Sequence, residues 1–257
     1  MTSPDRPILF SAPMIKALLA SQKSQTRRLV TERSAFLGSS RWEWLDFVDP
    51  RNFVDNGGAA NPFCADGTQY LHVWSADKSA DETCNRVYPR IVAGDRLWVK
   101  ETWQCIGYDG DKWHPRVCIA RRADASSQWF SPRDSASFDP DAFDEWLARM
   151  TPRAKGLAGP NAWRPSIFMP RWASRISLLV TAVRVERVQD ITEADALAEG
   201  VVPSETILQD GRVVHDLNGT ARGTYAVLWD SINGKRAAWS SNPWCWVYGF
   251  VRERAGL

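Results

Sequence analysis

A short basic segment, Lys-Ser-Gln-Thr-Arg-Arg at residues 23–28, carries the residue types best suited to nucleophilic chemistry. The pattern predicts a helix that ends near Lys23 and a strand directly after it, so alternation puts Thr26 and Arg28 on one strand face. Lys23, held in the turn, can lean over that face. A threonine hydroxyl becomes a nucleophile when a base takes its proton, and a neutral lysine amine can be that base. Burial and the charge of Arg28 would lower the pKa of Lys23 toward this role.

Glu199 is the second candidate, because it stands in the last turn of a helix predicted over residues 193–199. The helix macrodipole disfavours a carboxylate at that end, which favours proton uptake and an acid–base role. The alternatives are a solvated basic turn for the first segment and a solvated helix end for Glu199. For each segment, spacing alone leaves the catalytic and the solvated interpretation open.

The elements that would position these side chains are predicted from apolar periodicity and turn residues. Thr192 is typical of a helix N-cap, with Asp195 at the capping-box position and Gly200 at the helix end. In chain order, the sequence predicts strands over residues 7–10 and 24–30 with a helix from Ser11 between them, strands over 96–101 and 117–120, a helix over 141–149, a strand pair within 175–188, helices over 193–199 and 221–231, and a strand over 243–254.

Two long segments, residues 35–90 and 123–165, lack steady periodicity and are rich in turn-forming residues. This predicts loops with short strands in the first segment and a loop that contains the short helix over 141–149 in the second. No repeat or low-complexity linker divides the chain. We therefore expect one α+β domain over residues 1–257, with these two segments as insertions. Its core would consist of residues 6–34, 91–122 and 166–257.

The amino-acid composition excludes several classes of protein. The 32 Lys+Arg against 30 Asp+Glu give a formal net charge of +2, too little for a strong non-specific nucleic-acid binder. The 44% hydrophobic and 24% charged content excludes a disordered or fibrous chain. Fourteen Trp, and an excess of Arg over Lys, indicate recognition of planar groups. No apolar stretch reaches the roughly 20 residues that span a bilayer and no signal peptide is evident, so we expect a cytoplasmic protein without membrane association.

Cysteine and histidine do not predict a metal centre. The five Cys form no CxxC pair, which favours reduced thiols. Cys64, His72 and Cys84 are the best potential metal ligands, but their spacing fits no zinc pattern and lacks a fourth ligand. We therefore expect neither a metal nor another cofactor.

The order of these segments resembles the ASCH family, a branch of the PUA-like β-barrel superfamily. ASQKSQTRR is similar to its GxKxxExR-type signature, AGDRLWVKE to its G-D-x-L-x-V strand, RISLLVTAVRVERVQDITEADALAEGV to its strand-turn-helix and NPWCWVYGFVRER to its closing strand. With WRPSIFMPRWASRI included, the chain also resembles long phage- and prophage-encoded ASCH proteins. The resemblance implies a small PUA-like β-barrel with flanking helices, and it does not cover the two insertions.

Small bacterial N(4)-acetylcytidine amidohydrolases of this family carry a Gly-x-Lys-x-x-Thr-x-Arg motif and a later Glu. The resemblance therefore implies Lys23 as base, Thr26 as nucleophile, Glu199 as acid–base group and Arg28 as a substrate-binding residue. Ser21 replaces the motif glycine, a departure that concerns the helix end rather than the chemistry. The implied reaction is metal-independent removal of the acyl group from an N(4)-acylated cytosine base or nucleoside.

A pyrimidine also needs a flat surface to lie on. Trp103, Trp163 and Trp172 stand beside the motif segments and are candidates for stacking. Glu101 could accept a hydrogen bond from the base or orient Lys23. For each of these residues, packing in the core or at its rim is the alternative.

Two other functions are compatible with the sequence. An RNA-binding or RNA-processing PUA-like module would place Lys23, Arg27 and Arg28 on RNA or DNA phosphates and stack bases on Trp, without acyl transfer. A phage structural or assembly protein would need none of the residues that the amidohydrolase motif selects. The coincidence of that motif with Glu199 therefore favours the enzyme.

Overall fold

The computed structural model describes residues 5–31, 35–37, 71–73, 85–110, 113–134, 138–150, 162–203, 206–207, 213–214 and 219–253. The chain divides into two compact units. Unit 1 consists of Met1–Ser3, Ala20–Asp95 and Leu179–Arg252, and unit 2 consists of Pro4–Leu19, Arg96–Leu178 and Glu253–Leu257. Each unit contains helices and strands, so the expectation of a mixed α and β fold is confirmed.

The described strands are β1 (Asp5–Leu9), β2 (Gln25–Leu29), β3 (Ala35–Leu37), β4 (Leu71–Val73), β5 (Asn85–Pro89), β6 (Arg96–Lys100), β7 (Trp103–Asp109), β8 (Arg116–Arg121), β9 (Ser127–Phe130), β10 (Ser177–Arg187), β11 (Thr206–Ile207), β12 (Val213–Val214) and β13 (Trp244–Glu253). The described α-helices are α1 (Ala12–Leu19), α2 (Pro140–Met150), α3 (Glu193–Ala198) and α4 (Ala221–Asn233).

In unit 1, strand β13 lies between β10 and β2 and pairs antiparallel with β2. Its aromatic and β-branched residues suit a strand that is covered on both faces. The register puts Thr26 opposite Tyr248 and Arg28 opposite Trp246, and both partners are at most 1% exposed. The motif strand β2 is therefore fixed by pairing with a deeply buried strand.

Helix α3 of unit 1 is positioned by its caps. The Thr192 hydroxyl accepts a hydrogen bond from the Asp195 backbone N–H, and the Asp195 carboxylate accepts one from the Thr192 backbone, as the sequence predicts. Gly200, with a φ of 83°, follows the last turn. The Glu193 carboxylate then accepts hydrogen bonds from backbone N–H groups at the start of α4, including that of Arg222 at 3.0 Å. The start of α3 is thus attached to the start of α4, and the end of α3, where Glu199 lies, is defined by Gly200.

Unit 2 pairs β1 parallel with β6 and contains the antiparallel sheet β7-β8-β9. An aromatic core covers this sheet: Trp146 of α2 stacks on Trp103 with ring centroids 6.1 Å apart, and Trp172 meets Trp146 edge-on at 4.9 Å. The fully buried members of this core are Trp103, Cys105, Val117, Ile119, Phe143, Met169 and Ala173. Part of the tryptophan excess is therefore explained by packing.

The predicted helices and strands that fall on described residues match the structure to within about two residues at each end, with two exceptions. The first helix, predicted to end near Lys23, ends at Leu19, because Ser21 adopts a left-handed conformation that a helix does not continue through. The strand pair predicted within residues 175–188 is wrong. These residues form the single long strand β10, because no turn residue interrupts their alternation. Two further strands, β7 and β9, flank the predicted strand β8 and are not predicted from the sequence.

The predicted insertions are described only in part. In residues 35–90, β3, β5 and β4 form a small antiparallel sheet in that order, which confirms the short strands expected there. Residues 123–165 contain β9 and the predicted helix, here α2. The described strands of each unit form open sheets and do not close into a barrel, so the PUA-like barrel stays a prediction. None of the described helices has the length and apolar character required to cross a membrane.

Candidate functional site

Three segments of unit 1 meet at the start of β2. The Ser24 backbone N–H donates to the carbonyl of Ala198 at 2.9 Å, and the Ser24 carbonyl accepts from the Phe250 N–H at 2.9 Å. These bonds attach the end of α3 and the strand β13 to the turn that carries Lys23. Because Glu199 follows Ala198 directly, the same bonds bring Glu199 beside Lys23.

Lys23 and Glu199 form a buried ion pair. Lys23 Nζ donates to Glu199 Oε2 at 3.0 Å and to the Glu199 carbonyl at 2.7 Å. The two residues are only 4% and 1% exposed. Arg27 Nη1 lies 3.5 Å from Glu199 Oε1, so one carboxylate faces two cations. The sequence predicts that Lys23 and Glu199 act together, and the structure places them in direct contact.

The environment of Lys23 favours loss of its proton. Burial lowers the pKa of this amine, and the nearby charges of Arg28 and Arg27 act in the same direction. The Glu199 carboxylate opposes them but does not outweigh them. The carboxylate is also close enough to receive the proton that the amine releases.

Thr26 and Arg28 are both on the strand face that contains Tyr248 and Trp246, as alternation predicts. Thr26 is 2% exposed. Burial lowers the pKa of Arg28, whereas the fields of Glu199 and two tyrosines raise it. The candidate nucleophile is therefore withdrawn from bulk water, and its neighbour Arg28 is partly buried.

Arg27 contacts the candidate site, although the resemblance to the amidohydrolases does not select this residue. It lies on the strand face opposite Thr26, yet its guanidinium reaches Glu199 and also contacts Glu186 Oε2 at 2.7 Å and Asp195 Oδ2 at 3.4 Å. Alternation alone assigns it to the other side of the sheet. It joins the site because α3 ends beside β2, the last strand in the sheet order, where Glu199 can meet side chains of either face.

Tyr225 of α4 is a second residue without a sequence signal. It is 4% exposed, and burial together with the Glu199 carboxylate raises its pKa well above the usual range. Arg27 and Arg28 act in the opposite direction on the same phenol. Its position on a helix remote in sequence explains why no motif pointed to it.

Ser21, which stands where the amidohydrolase motif has glycine, has a left-handed backbone conformation. Its φ of 59° is left-handed, which costs a residue with a Cβ about 1 kcal/mol relative to glycine. We expect Ser21→Gly to raise the free energy of unfolding by about 0.5–1 kcal/mol, measured by urea denaturation. Ser240→Gly, at an exposed residue outside the left-handed region, should instead lower it. A less stable Ser21→Gly variant would contradict the prediction.

The buried acids around the site predict loss of stability at alkaline pH. Burial raises the pKa of Cys245 from 9.0 and those of Tyr225 and Tyr248 from 10.0. Above pH 9 the unfolded chain releases protons that the folded chain keeps. The contribution of these neutral groups to the free energy of unfolding is therefore fully present below pH 9 and is lost as the pH rises. Each group adds a slope that approaches about 1.4 kcal/mol per pH unit.

Urea denaturation at pH 8, 9, 10 and 11 measures this slope. Cys245→Ala should remove the part that begins near pH 9, whereas Cys118→Ala, at a buried cysteine of unit 2, serves as the matched control. Equal slopes in the wild type and Cys245→Ala would show that the thiol does not contribute.

The other predicted site residues lie in unit 2. Trp103 is fully buried in the aromatic core, Trp172 packs against that core, and Trp163 is 43% exposed. Glu101 is 1% exposed, and its carboxylate accepts two hydrogen bonds from Arg175 at 2.9 Å. Its Oε1 also lies 3.1 Å from Arg121 Nε. Glu101 therefore belongs to a paired charge cluster of unit 2, and Trp103 is a packing residue.

Two of the three potential metal ligands, Cys64 and Cys84, lie outside the described residues. His72 is on the short strand β4. Comparison with protein-family models found no match, and neither curated proteins nor solved structures gave one. The motif residues and their geometry are therefore the features of this chain that indicate a function.

Proposed function

We propose that this protein is an amidohydrolase that removes the acyl group from N(4)-acylated cytosine or cytidine. The observation that carries the proposal is the buried contact of Lys23 Nζ with Glu199 Oε2 at 3.0 Å, at the start of the strand that bears Thr26. A base, a proton acceptor for that base and a hydroxyl nucleophile are the parts that such acyl transfer needs. We further propose the ASCH type of PUA-like barrel as its fold and the cytoplasm as its location.

In the first step, Glu199 takes a proton from Lys23 and leaves a neutral amine. The amine removes the proton of the Thr26 hydroxyl as Oγ1 forms a bond to the acyl carbon. Burial and the two neighbouring guanidinium groups support the neutral amine. Arg28 or backbone N–H groups after the helix stabilise the negative charge that develops on the carbonyl oxygen.

In the second step, the bond between the acyl carbon and N4 breaks. Lys23 or Glu199 returns a proton to N4, so cytosine or cytidine leaves with its amino group restored. Water then attacks the acyl-threonine and gives one proton to whichever of Lys23 or Glu199 protonated N4. That group passes the proton to Thr26 Oγ1 as the bond between Oγ1 and the acyl carbon breaks, a carboxylic acid leaves, and the Lys23–Glu199 ion pair is restored. The sum is amide plus water to amine plus acid, with residues of this chain in each proton transfer.

The proposal requires the site to open. Thr26 is 2% exposed, so an acyl carbonyl reaches its Oγ1 only when substrate binding displaces covering atoms. Removal from water strengthens the electrostatic interactions among the charged groups once the substrate is inside. We therefore expect opening of the site to limit the rate for bulky acyl groups more than for acetyl.

The burial of Lys23 and Arg27 disfavours the RNA-binding alternative, in which these cations would contact phosphates. Lys23 and Arg27 are 4% and 5% exposed and are paired with carboxylates, whereas phosphate-binding cations must reach the backbone of the nucleic acid. An RNA module would then have to use other residues for its phosphate contacts.

The test is incubation of the purified protein with N(4)-acetylcytidine and, separately, N(4)-benzoylcytidine. We expect release of cytidine and the corresponding acid, followed by ultraviolet absorbance and mass spectrometry. A rate equal to that of buffer for both substrates overturns the proposal. RNA affinity that falls steeply with salt, combined with no acyl release, would favour the RNA-binding module instead.

A further inference from the structure

We infer that unit 2 contains a second ligand site, a cavity for an uncharged planar heterocycle of the nucleobase type. The cavity has a volume of about 740 Å³, within the range of sites that hold small molecules and cofactors. It is lined by residues of unit 2 and by none of the ion-paired residues around Lys23. The inference therefore goes beyond the amidohydrolase proposal and does not depend on it.

Aromatic rings form much of the wall of this cavity. Trp98, Trp129 and Trp172 line it together with Phe130. Trp129, on β9, is 45% exposed, which is unusual for so large an apolar side chain in a concave site. Exposed indole faces are stacking surfaces for flat rings, and stacking is worth about 1–3 kcal/mol per base.

Cationic side chains of the protein already lie beside the indoles, which disfavours a cationic ligand. Lys100 Nζ lies 5.0 Å from the centroid of Trp98, and Arg171 Cζ lies 5.9 Å from the same ring. Arg116 Cζ is 5.2 Å from the centroid of Trp129. The indoles thus already interact with charges of the protein, and a bound ammonium group would be repelled by them.

Carboxylates argue against an anionic ligand. Asp5 and Asp134 both line the cavity, against the single guanidinium of Arg171. That guanidinium is already paired, since its Nε and Nη2 lie 2.9 and 2.8 Å from Asp5 Oδ2. Among the lining residues a phosphate would meet two carboxylates and one guanidinium that is already paired, so the lining favours an uncharged ring.

The polar side chains supply a pattern that a nucleobase edge can satisfy. Gln128 offers an amide N–H donor and a carbonyl acceptor, and Asp134 offers carboxylate acceptors. Neither makes a side-chain hydrogen bond to another residue in the described part of the chain. A ring with amino or imino N–H groups and a carbonyl matches both, as base edges do when proteins read them.

Isothermal titration calorimetry with cytidine, uridine, adenosine and guanosine tests the inference on the intact protein. We expect saturable binding of at least one nucleoside, and weaker binding of the non-planar dihydrouridine than of uridine. Trp129→Ala and Asp134→Ala should each weaken nucleoside binding at least about fivefold. Trp113→Ala removes an indole that is 57% exposed and outside the lining, and it should leave binding unchanged.

The inference is overturned if no nucleoside binds or if Trp129→Ala and Asp134→Ala bind like the wild type. It is also overturned if tetramethylammonium or inorganic phosphate binds more tightly than every nucleoside, or if nucleoside binding is lost in Lys23→Met but not in Trp129→Ala. Acyl hydrolysis is measured in the same samples. Lost nucleoside binding with intact turnover rejects only the second site, and binding without turnover rejects only the amidohydrolase.

Discussion

Thr26→Ala is expected to reduce hydrolysis of N(4)-acetylcytidine at least about 10³-fold, because removing a nucleophile leaves only the contribution of binding and charge stabilisation. Thr26→Ser keeps a hydroxyl at the same atom and should retain much more activity. The substitution removes few atoms from a strand that is held by pairing with β13, so we expect the fold to persist. Circular dichroism and thermal unfolding check that expectation alongside the rates.

Thr181→Ala is the matched control, since Thr181 is an exposed threonine on β10 of the same unit. Its turnover should equal that of the wild type. Mass spectrometry of the protein mixed with the benzoyl substrate adds a direct observation, because an acyl-threonine raises the mass of the Thr26-containing peptide. Wild-type turnover in a folded Thr26→Ala variant would refute the assignment of the nucleophile.

Glu199→Ala is expected to have the largest effect on stability, lowering the free energy of unfolding by about 3–5 kcal/mol at neutral pH. The change leaves Lys23 buried without its carboxylate and removes the partner that Arg27 Nη1 approaches at 3.5 Å. Breaking a buried ion pair on one side costs far more than replacing both partners, because the remaining charge stays desolvated.

The loss of unfolding free energy in Glu199→Ala should become smaller as the pH rises. Burial already lowers the pKa of Lys23, and removal of Glu199 deletes the interaction that raises it. Between that folded-state pKa and the unfolded value of 10.5, the unfolded chain binds more protons, so stability increases with pH. Urea denaturation of the variant at pH 6, 8 and 9 measures this trend.

A double-mutant cycle separates the ion pair from general packing. Lys23→Met and Glu199→Leu are made singly and together, and the double variant should be more stable than the sum of the single losses predicts. Glu193→Ala, which removes a carboxylate from the other end of α3, is the matched control and should be additive with Lys23→Met. Additive losses for the Lys23 and Glu199 changes would show that the contact does not couple them.

Much of unit 1 could be predicted from local signals. Thr192, Asp195 and Gly200 determine where α3 begins and ends through hydrogen bonds that span only a few residues. Alternation likewise places Thr26 and Arg28 on one face of β2. Such features are encoded by neighbours in the chain, so they do not depend on how distant segments pack.

Unit 2 shows where local signals are insufficient. An indole beside a motif segment looks the same in sequence whether it packs or binds, yet Trp103 is fully buried and Trp129 lines a cavity. Glu101 is the last residue of a predicted strand, and none of its neighbours along the chain points to Arg175, 74 residues away. Burial and ion pairing depend on which distant segments come together.

The sequence by itself determined the strand that carries Thr26, the turn before it that carries Lys23, and the helix that ends at Glu199, because capping and alternation are properties of neighbouring residues. The tertiary structure alone decided that Lys23 and Glu199, 176 residues apart, share a hydrogen bond in a buried site. It also decided that Arg27 joins them from the opposite strand face and that Tyr225 comes from another helix. The physical reason is that desolvation and Coulomb interactions act through space, so the charge state of the amine depends on groups that no local pattern identifies.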